Sequence, residues 1–121
     1  MSLTTTPHHL YEPTPLQCGQ AVLAMLADVT VEQVIAVVKT ARETTRKDMF
    51  AALEHYGIAY DPVRHQAFEK ADLPSVCILS LETPKCWHWS LYFRGRFYDP
   101  EYGELEEFPP SARRYYFTIK E

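Results

Sequence analysis

The sequence predicts a single α+β domain, with helices in its first half packed on an antiparallel sheet built from its second half. Two observations point there. From Thr14 to Gly57 apolar residues recur at helical spacing behind helix-start signals, and beyond Gly57 the spacing becomes that of strands. The two kinds of element are segregated along the chain, which is the α+β pattern and not the alternating α/β one. A length of 121 residues suits one domain and is too short for two ordinary ones.

Residues 1–10 read as a flexible lead-in and residues 11–121 as the domain itself. Thr14-Pro15-Leu16-Gln17 reads as a helix start, with Thr14 as cap, Pro15 at the first helical position and Gln17 completing a capping box. The helix that follows puts Val22, Met25, Leu26 and Val29 on one stripe, with Ala21 and Ala24 in tight space and Cys18 near the start. A second capping box, Thr30 to Gln33, opens a helix with Val31, Val34, Ile35 and Val38 inward. A third helix starts at Thr44 or Thr45, buries Met49, Phe50, Leu53 and Tyr56, and ends where Gly57 supplies a left-handed cap.

Ile58 to Tyr60 is a short strand candidate, ended by Asp61-Pro62, and Val76 to Leu79 reads as a buried central strand. His88 to Phe93 and Arg96 to Tyr98 flank Arg94-Gly95 as a hairpin, and Tyr115 to Ile119 closes the sheet. The aromatic residues that alternate through the hairpin are expected to pack the sheet.

Composition narrows the function. The net charge is −4 and the basic residues are scattered apart from Arg46-Lys47 and Arg113-Arg114, so no basic face for nucleic acid is expected. No apolar run approaches the roughly 18 residues of a membrane span, and the N-terminus lacks the regions of a signal peptide. Three cysteines without a C-x-x-C pair argue against a disulfide framework and leave at least one thiol free. A reducing, cytoplasmic setting without nucleic-acid or membrane partners is the expectation.

Three residues carry the candidate chemistry. A thiol attacks as its thiolate, and a helix N-terminus favours that form; Cys18 sits near one, and Gly19 beside it suggests close packing or substrate approach. If Arg94-Gly95 is the turn, cross-strand partners have numbers summing to 189. Asp99 then lies opposite Ser90, on the face His88 shares, so the carboxylate reaches the imidazole diagonally and fixes its tautomer. Cys77 reads as core. Cys86 and His88 make half of a zinc-like pair without the remaining ligands, so neither metal nor cofactor is expected. His8 and His9 fall in the lead-in, and His55 and His65 on a helix and a loop without partners. Trp89, beside His88, is placed to shield the His–Asp bond.

Gln17-Cys18-Gly19-Gln20-Ala21 with Ala24-Met25-Leu26 resembles the nucleophile helix of papain-like cysteine peptidases of the bacteriocin-processing type, which cut leader peptides after double-glycine sites. His88-Trp89 and Tyr98-Asp99-Pro100-x-x-Gly103 are similar to that family's histidine and aspartate motifs, and the likeness runs from about Tyr11 to Ile119. The resemblance implies a papain-like core, a Cys18, His88, Asp99 triad, a thioester acyl-enzyme and a peptide or protein substrate. One position departs from the pattern. Where the family has an oxyanion glutamine, six residues before the nucleophile, this chain has Glu12. An ionised carboxylate there repels an oxyanion. Three readings follow: Glu12 is protonated by burial and donates, Gln17 takes over as donor, or the site is a degenerate cleft that binds without cutting. Deamidation or acyl transfer by the same triad is a further alternative.

Overall fold

The structure is a computed structural model, described for residues 6–121; the part of the expected lead-in at residues 1–5 lies outside the described residues. Three helices come first, α1 (Cys18–Ala27), α2 (Val31–Val38) and α3 (Arg46–His55). A short 3-10 turn at Lys70–Asp72 aside, strands follow: β1 (His65–Gln66), β2 (Val76–Glu82), β3 (Trp87–Phe93), β4 (Arg96–Asp99), β5 (Gly103–Leu105) and β6 (Arg114–Thr118). They form one antiparallel sheet in the order β1-β6-β2-β3-β4-β5.

The helix boundaries follow their caps. Thr30 and Gln33 form the expected reciprocal box at α2, and Thr45 forms one with Asp48 at α3. Beyond α3, Gly57 at φ +70° lets its own N–H reach Glu54 and that of Ile58 reach Leu53, two carbonyls the helix would otherwise leave unpaired. The start of α1 differs from expectation. Thr14 accepts no bond from the helix with its side chain; its carbonyl closes a turn with the Gln17 N–H at 3.0 Å, and the helix begins at Cys18. The capping box does not form, and Cys18 becomes the first helical residue. Nor is α1 amphipathic: all ten of its residues are buried, because it lies between α2, α3 and β3. Val29 falls outside it, beyond the left-handed Asp28.

Two apolar cores lie on opposite faces of the sheet. Val76 and Ile78 of β2, with Leu91 and Phe93 of β3, meet the helices, whereas Cys77, Leu79 and Leu81 pack with Tyr92 and Phe97 on the other side. The period-2 alternation explains the split, and it places Cys77 in the core as expected. Arg94 and Gly95, both at positive φ, form the two-residue turn that suits strand twist. The pairs Leu91–Tyr98, Tyr92–Phe97 and Phe93–Arg96 give the register expected from the sequence.

Three strand assignments are corrected. Ile58 to Tyr60 contributes only an isolated bridge, Tyr60 to Ile119. His65 is in β1, paired with Tyr116 and stacked on its ring, and not in an unpartnered loop. β5 was not anticipated; Gly103, at φ +91°, turns the chain back so that it pairs with Asp99. Among the described residues no single helix is long and apolar enough to cross a membrane.

Gly19 sets the distance between α1 and β3. A Cβ built there would lie 2.5 Å from the Thr44 Cβ and 3.1 Å from Trp89 Cδ1. Helix propensity favours alanine at this position by about 1 kcal/mol, but overpacking costs about 1–3 kcal/mol. Gly19→Ala should therefore lower the denaturation midpoint and slow any reaction of the neighbouring Cys18. An equally or more stable variant with unchanged Cys18 reactivity would show that the approach is not tight.

Candidate active site

Asp99 is the centre of the site. It ends β4 and is wholly buried. Its oxygens accept from His88 Nε2 at 3.0 and 3.1 Å, from Ser90 Oγ at 2.7 Å, and from the backbone N–H groups of Glu101 and Tyr102 at 2.8 and 2.9 Å. The two backbone donors belong to the turn that Pro100 and Gly103 shape, which gives the Tyr98-Asp99-Pro100-x-x-Gly103 segment a structural reason. Burial works to raise the Asp99 pKa, but His88, the Tyr102 amide and Ser90 outweigh it and hold the carboxyl below its ordinary value.

His88, 3% exposed, is aimed by this carboxylate. With Nε2 committed to Asp99, Nδ1 is the nitrogen left for its side-chain contact with Cys18. Burial is the largest influence on His88 and disfavours its charge. The hydrogen bonds and charges of Asp99 and Cys18 overcome it, and the imidazole is raised to about 10. At neutral pH the ring is a cation held by the Asp99 carboxylate on one side and facing the Cys18 sulfur on the other.

The sulfur arrives from α1. β4 ends at Asp99, so the edge of β3 beyond Ser90 has no strand beside it on that side. The helix start fills this gap, and the Trp89 N–H donates to Cys18 Sγ at 3.4 Å. Trp89 does not shield the His–Asp bond as expected; its indole N–H donates to the Thr44 carbonyl at 2.8 Å, on the helix side of the strand. Tyr102 takes the other place, its ring edge-on to His88 with centroids 6.4 Å apart. Nothing in the sequence marked Tyr102, because the turn that brings it back was not anticipated.

Two cavities flank His88. One, of about 370 Å³, is lined by Leu16, Cys18, Thr44, Trp87 and Trp89, and is mainly apolar. The other, of about 320 Å³, is lined by Tyr11, Glu12, Lys85 and Glu101. Exposed Cys86 borders both.

The oxyanion candidates separate clearly. Gln17 is buried, and its amide N–H donates to the Ala41 carbonyl at 3.0 Å, away from the cleft. Glu12 faces the cleft. Its backbone N–H is held by the Pro100 carbonyl at 2.8 Å, and its carboxyl lies with His88 and Glu101, polar atoms of the three within 4.8 Å of one another. Burial raises the Glu12 pKa; Glu101 and Asp99 add to that effect, while His88 and Lys85 oppose it. Because both His88 nitrogens are engaged, this grouping offers a cation only carboxylates, and the exposed Cys86 is not part of it.

His9, read from the sequence as tail, places its Nε2 at 2.7 Å from the Asp99 carbonyl oxygen, to which it donates. His55 lies in the last turn of α3, against Tyr56 and remote from the cleft. All three cysteines are unpaired. No family model, curated protein or solved structure matches this chain.

Proposed function

We propose that the chain is a cysteine hydrolase of amide bonds with a papain-like core, working through Cys18, His88 and Asp99. The observation that carries the reading is His88, engaged by Asp99 on one nitrogen and facing Cys18 with the other. In such a site the proton rests on the imidazole and the sulfur is the nucleophile. The sulfur adds to the carbonyl carbon and the carbonyl electron pair moves to oxygen. As the pair returns, the C–N bond breaks and the His88 Nδ1 proton goes to the leaving amine. Water, losing a proton to the same nitrogen, then releases the acid from the thioester. Asp99 stays ionised throughout, fixing the ring and offsetting its charge.

Two mainly apolar cavities on either side of His88, one beside Trp87 and Trp89 and one beside Glu12 and Glu101, suit a peptide or protein substrate. Deamidation and acyl transfer use the same first step and differ only in the leaving group or acceptor. Three unpaired thiols suit a reducing, cytoplasmic setting.

Three measurements test this reading. Iodoacetamide should modify Cys18 on the order of 10²-fold faster than exposed Cys86, and His88→Ala should remove the difference; buried Cys77, whose thiol is pushed up by its apolar surroundings, should stay inert. Equal labelling of Cys18 and Cys86 in the wild type ends the proposal. In nitrogen NMR, the His88 ring should remain a cation through neutral pH and lose its proton at about 10. Asp99→Asn should bring that titration down toward 6.5, the ordinary histidine value. A neutral ring at pH 7 in the wild type contradicts the charge arrangement.

Stability should track the same pair. His88 is raised, so its contribution is complete below 6.5 and is lost as pH climbs through about 10. Asp99 is lowered, so its contribution is complete above 3.8 and is lost as pH falls through its depressed folded value. Asp99→Asn should cost about 3–5 kcal/mol between those limits, as breaking a buried pair does. A denaturation midpoint indifferent to this substitution at pH 7 would mean that the pair is not buried and charged.

A further inference from the structure

We propose that the substrate of Cys18 is a peptide with an acidic side chain in its acyl half, a few residues before the cleaved bond, and that Arg64 and Arg46 hold that carboxylate. The inference rests on the cysteine-hydrolase reading and names a substrate class for it.

The path to the arginines begins at the sulfur. Cys18 lines only one of the two cavities beside His88. In an acyl-enzyme the acyl half is bonded to that sulfur, so its chain lies in the cavity of about 370 Å³ and the leaving amine departs on the other side. Ser80, Trp87 and Trp89 line this cavity from the helix side of the sheet, the face they share with Ile78 and Leu91. β6 continues that face. Ser80 pairs with Trp89 on one side and Tyr115 on the other, and Ile78 with Leu91 and Phe117. The rings meet across β2: Trp87 and Tyr115 have centroids 6.1 Å apart, Trp89 and Phe117 6.3 Å. At about 3.3 Å per residue, a few residues of extended peptide span that step.

Both arginines are exposed and seated on this floor. Arg64 Cζ lies 4.2 Å from the centre of the Tyr115 ring, and Arg46 Cζ 5.4 Å from that of Phe117. A guanidinium held over a ring is positioned by it and keeps its N–H edge for a carboxylate. The structure carries this arrangement complete at Arg113, which lies 5.4 Å from the Trp87 ring and donates to both oxygens of Glu82 at 3.1 and 2.7 Å. Arg94 repeats it on Phe93 with Glu121, and Arg114, over Phe108, donates to the Ser111 hydroxyl. Of the arginines held over rings among the described residues, Arg46 and Arg64 are the two with no acceptor. Glu43 lines the cavity but pairs with neither.

The net charge of −4 works against acidic peptides in general. A preference for them therefore has to come from a local site, and a substrate carboxylate is the group that repeats at Arg64 and Arg46 what Glu82 does at Arg113.

Two labels separate this role from the chemistry. Acetyl-Glu-Glu-Glu-Leu-Gly chloromethyl ketone seats a peptide on the acyl side and alkylates Cys18 as the sulfur displaces chloride. Its Gln-Gln-Gln counterpart removes the charge, and a Lys-Lys-Lys counterpart reverses it. Iodoacetamide alkylates the same sulfur with no peptide attached. Each rate is read as the ratio of peptide labelling to iodoacetamide labelling at Cys18, so a variant that disturbs the thiol itself cancels out. The Glu peptide should exceed the Gln peptide by about 5–20-fold at low salt, as one or two exposed charge pairs allow, and the advantage should shrink as salt is raised. Arg46→Glu combined with Arg64→Glu should remove the advantage and pass it to the Lys peptide; residue 46 is in the first turn of α3, where an acid is tolerated. Equal ratios for the Glu and Gln peptides in the wild type, or a Glu preference that survives the double charge reversal, overturn the inference and leave the hydrolase reading standing. Failure of Cys18 to outpace Cys86 with iodoacetamide overturns both.

Discussion

A buried carboxylate is tolerable only when its oxygens are paired, and the Asp99 carboxylate has four groups donating to it. Each donor belongs to a piece of structure that the site needs. His88 and Ser90 sit two residues apart on one face of β3, so a correct hairpin register is the condition for both bonds. The Glu101 and Tyr102 amides exist as donors only if the chain turns sharply after β4. That turn stops β4, brings β5 back alongside it, sets Tyr102 against His88 and aligns the Pro100 carbonyl that holds Glu12. Removing this one charge therefore loosens the ring that faces the sulfur and the chain that lines the opposite wall.

The sulfur depends on a second constraint, which is steric. Cys18 enters the site where β4 stops, and its approach is governed by how near the helix comes to β3 and to the loop before α3. Gly19 against Thr44 and Trp89 makes that approach close. Thr44 is also the acceptor for the Trp89 indole, so the loop, the strand and the helix start are locked at one point. Gln17 and Gln20 add to the lock from the helix side by donating to carbonyls at 40–42. Their amides brace the helix that carries Cys18, and this accounts for the two glutamines beside it.

Local signals in the chain were the legible ones. The Thr30–Gln33 box, the cap at Gly57 and the Arg94-Gly95 turn act over a few residues, and each is formed as the sequence implies. From the turn alone came the register that sets Asp99 beside His88. The start of α1 was misread because Thr14, Pro15 and Gln17 satisfy a helix-start pattern while the Gln17 side chain finds better partners in the 40–42 loop, a long-range contact. β1 and β5, two and three residues long, carry too little periodicity to register. Trp89 was assigned to the wrong side of the site for a related reason: alternation along β3 gives opposite faces to neighbours, and the Thr44 carbonyl lay far off in sequence.

Glu12 shows where residue type and residue chemistry part company. A glutamate in a list of residues is an anion. Whether it is an anion here depends on groups from β3, β4, the turn after β4 and the β2–β3 loop, none of which is near it in sequence. The cleft holds one cation in His88, already shared between a carboxylate and a sulfur, and a second in Lys85, already paired with Glu101. A further negative charge in that setting has burial and two carboxylates against it.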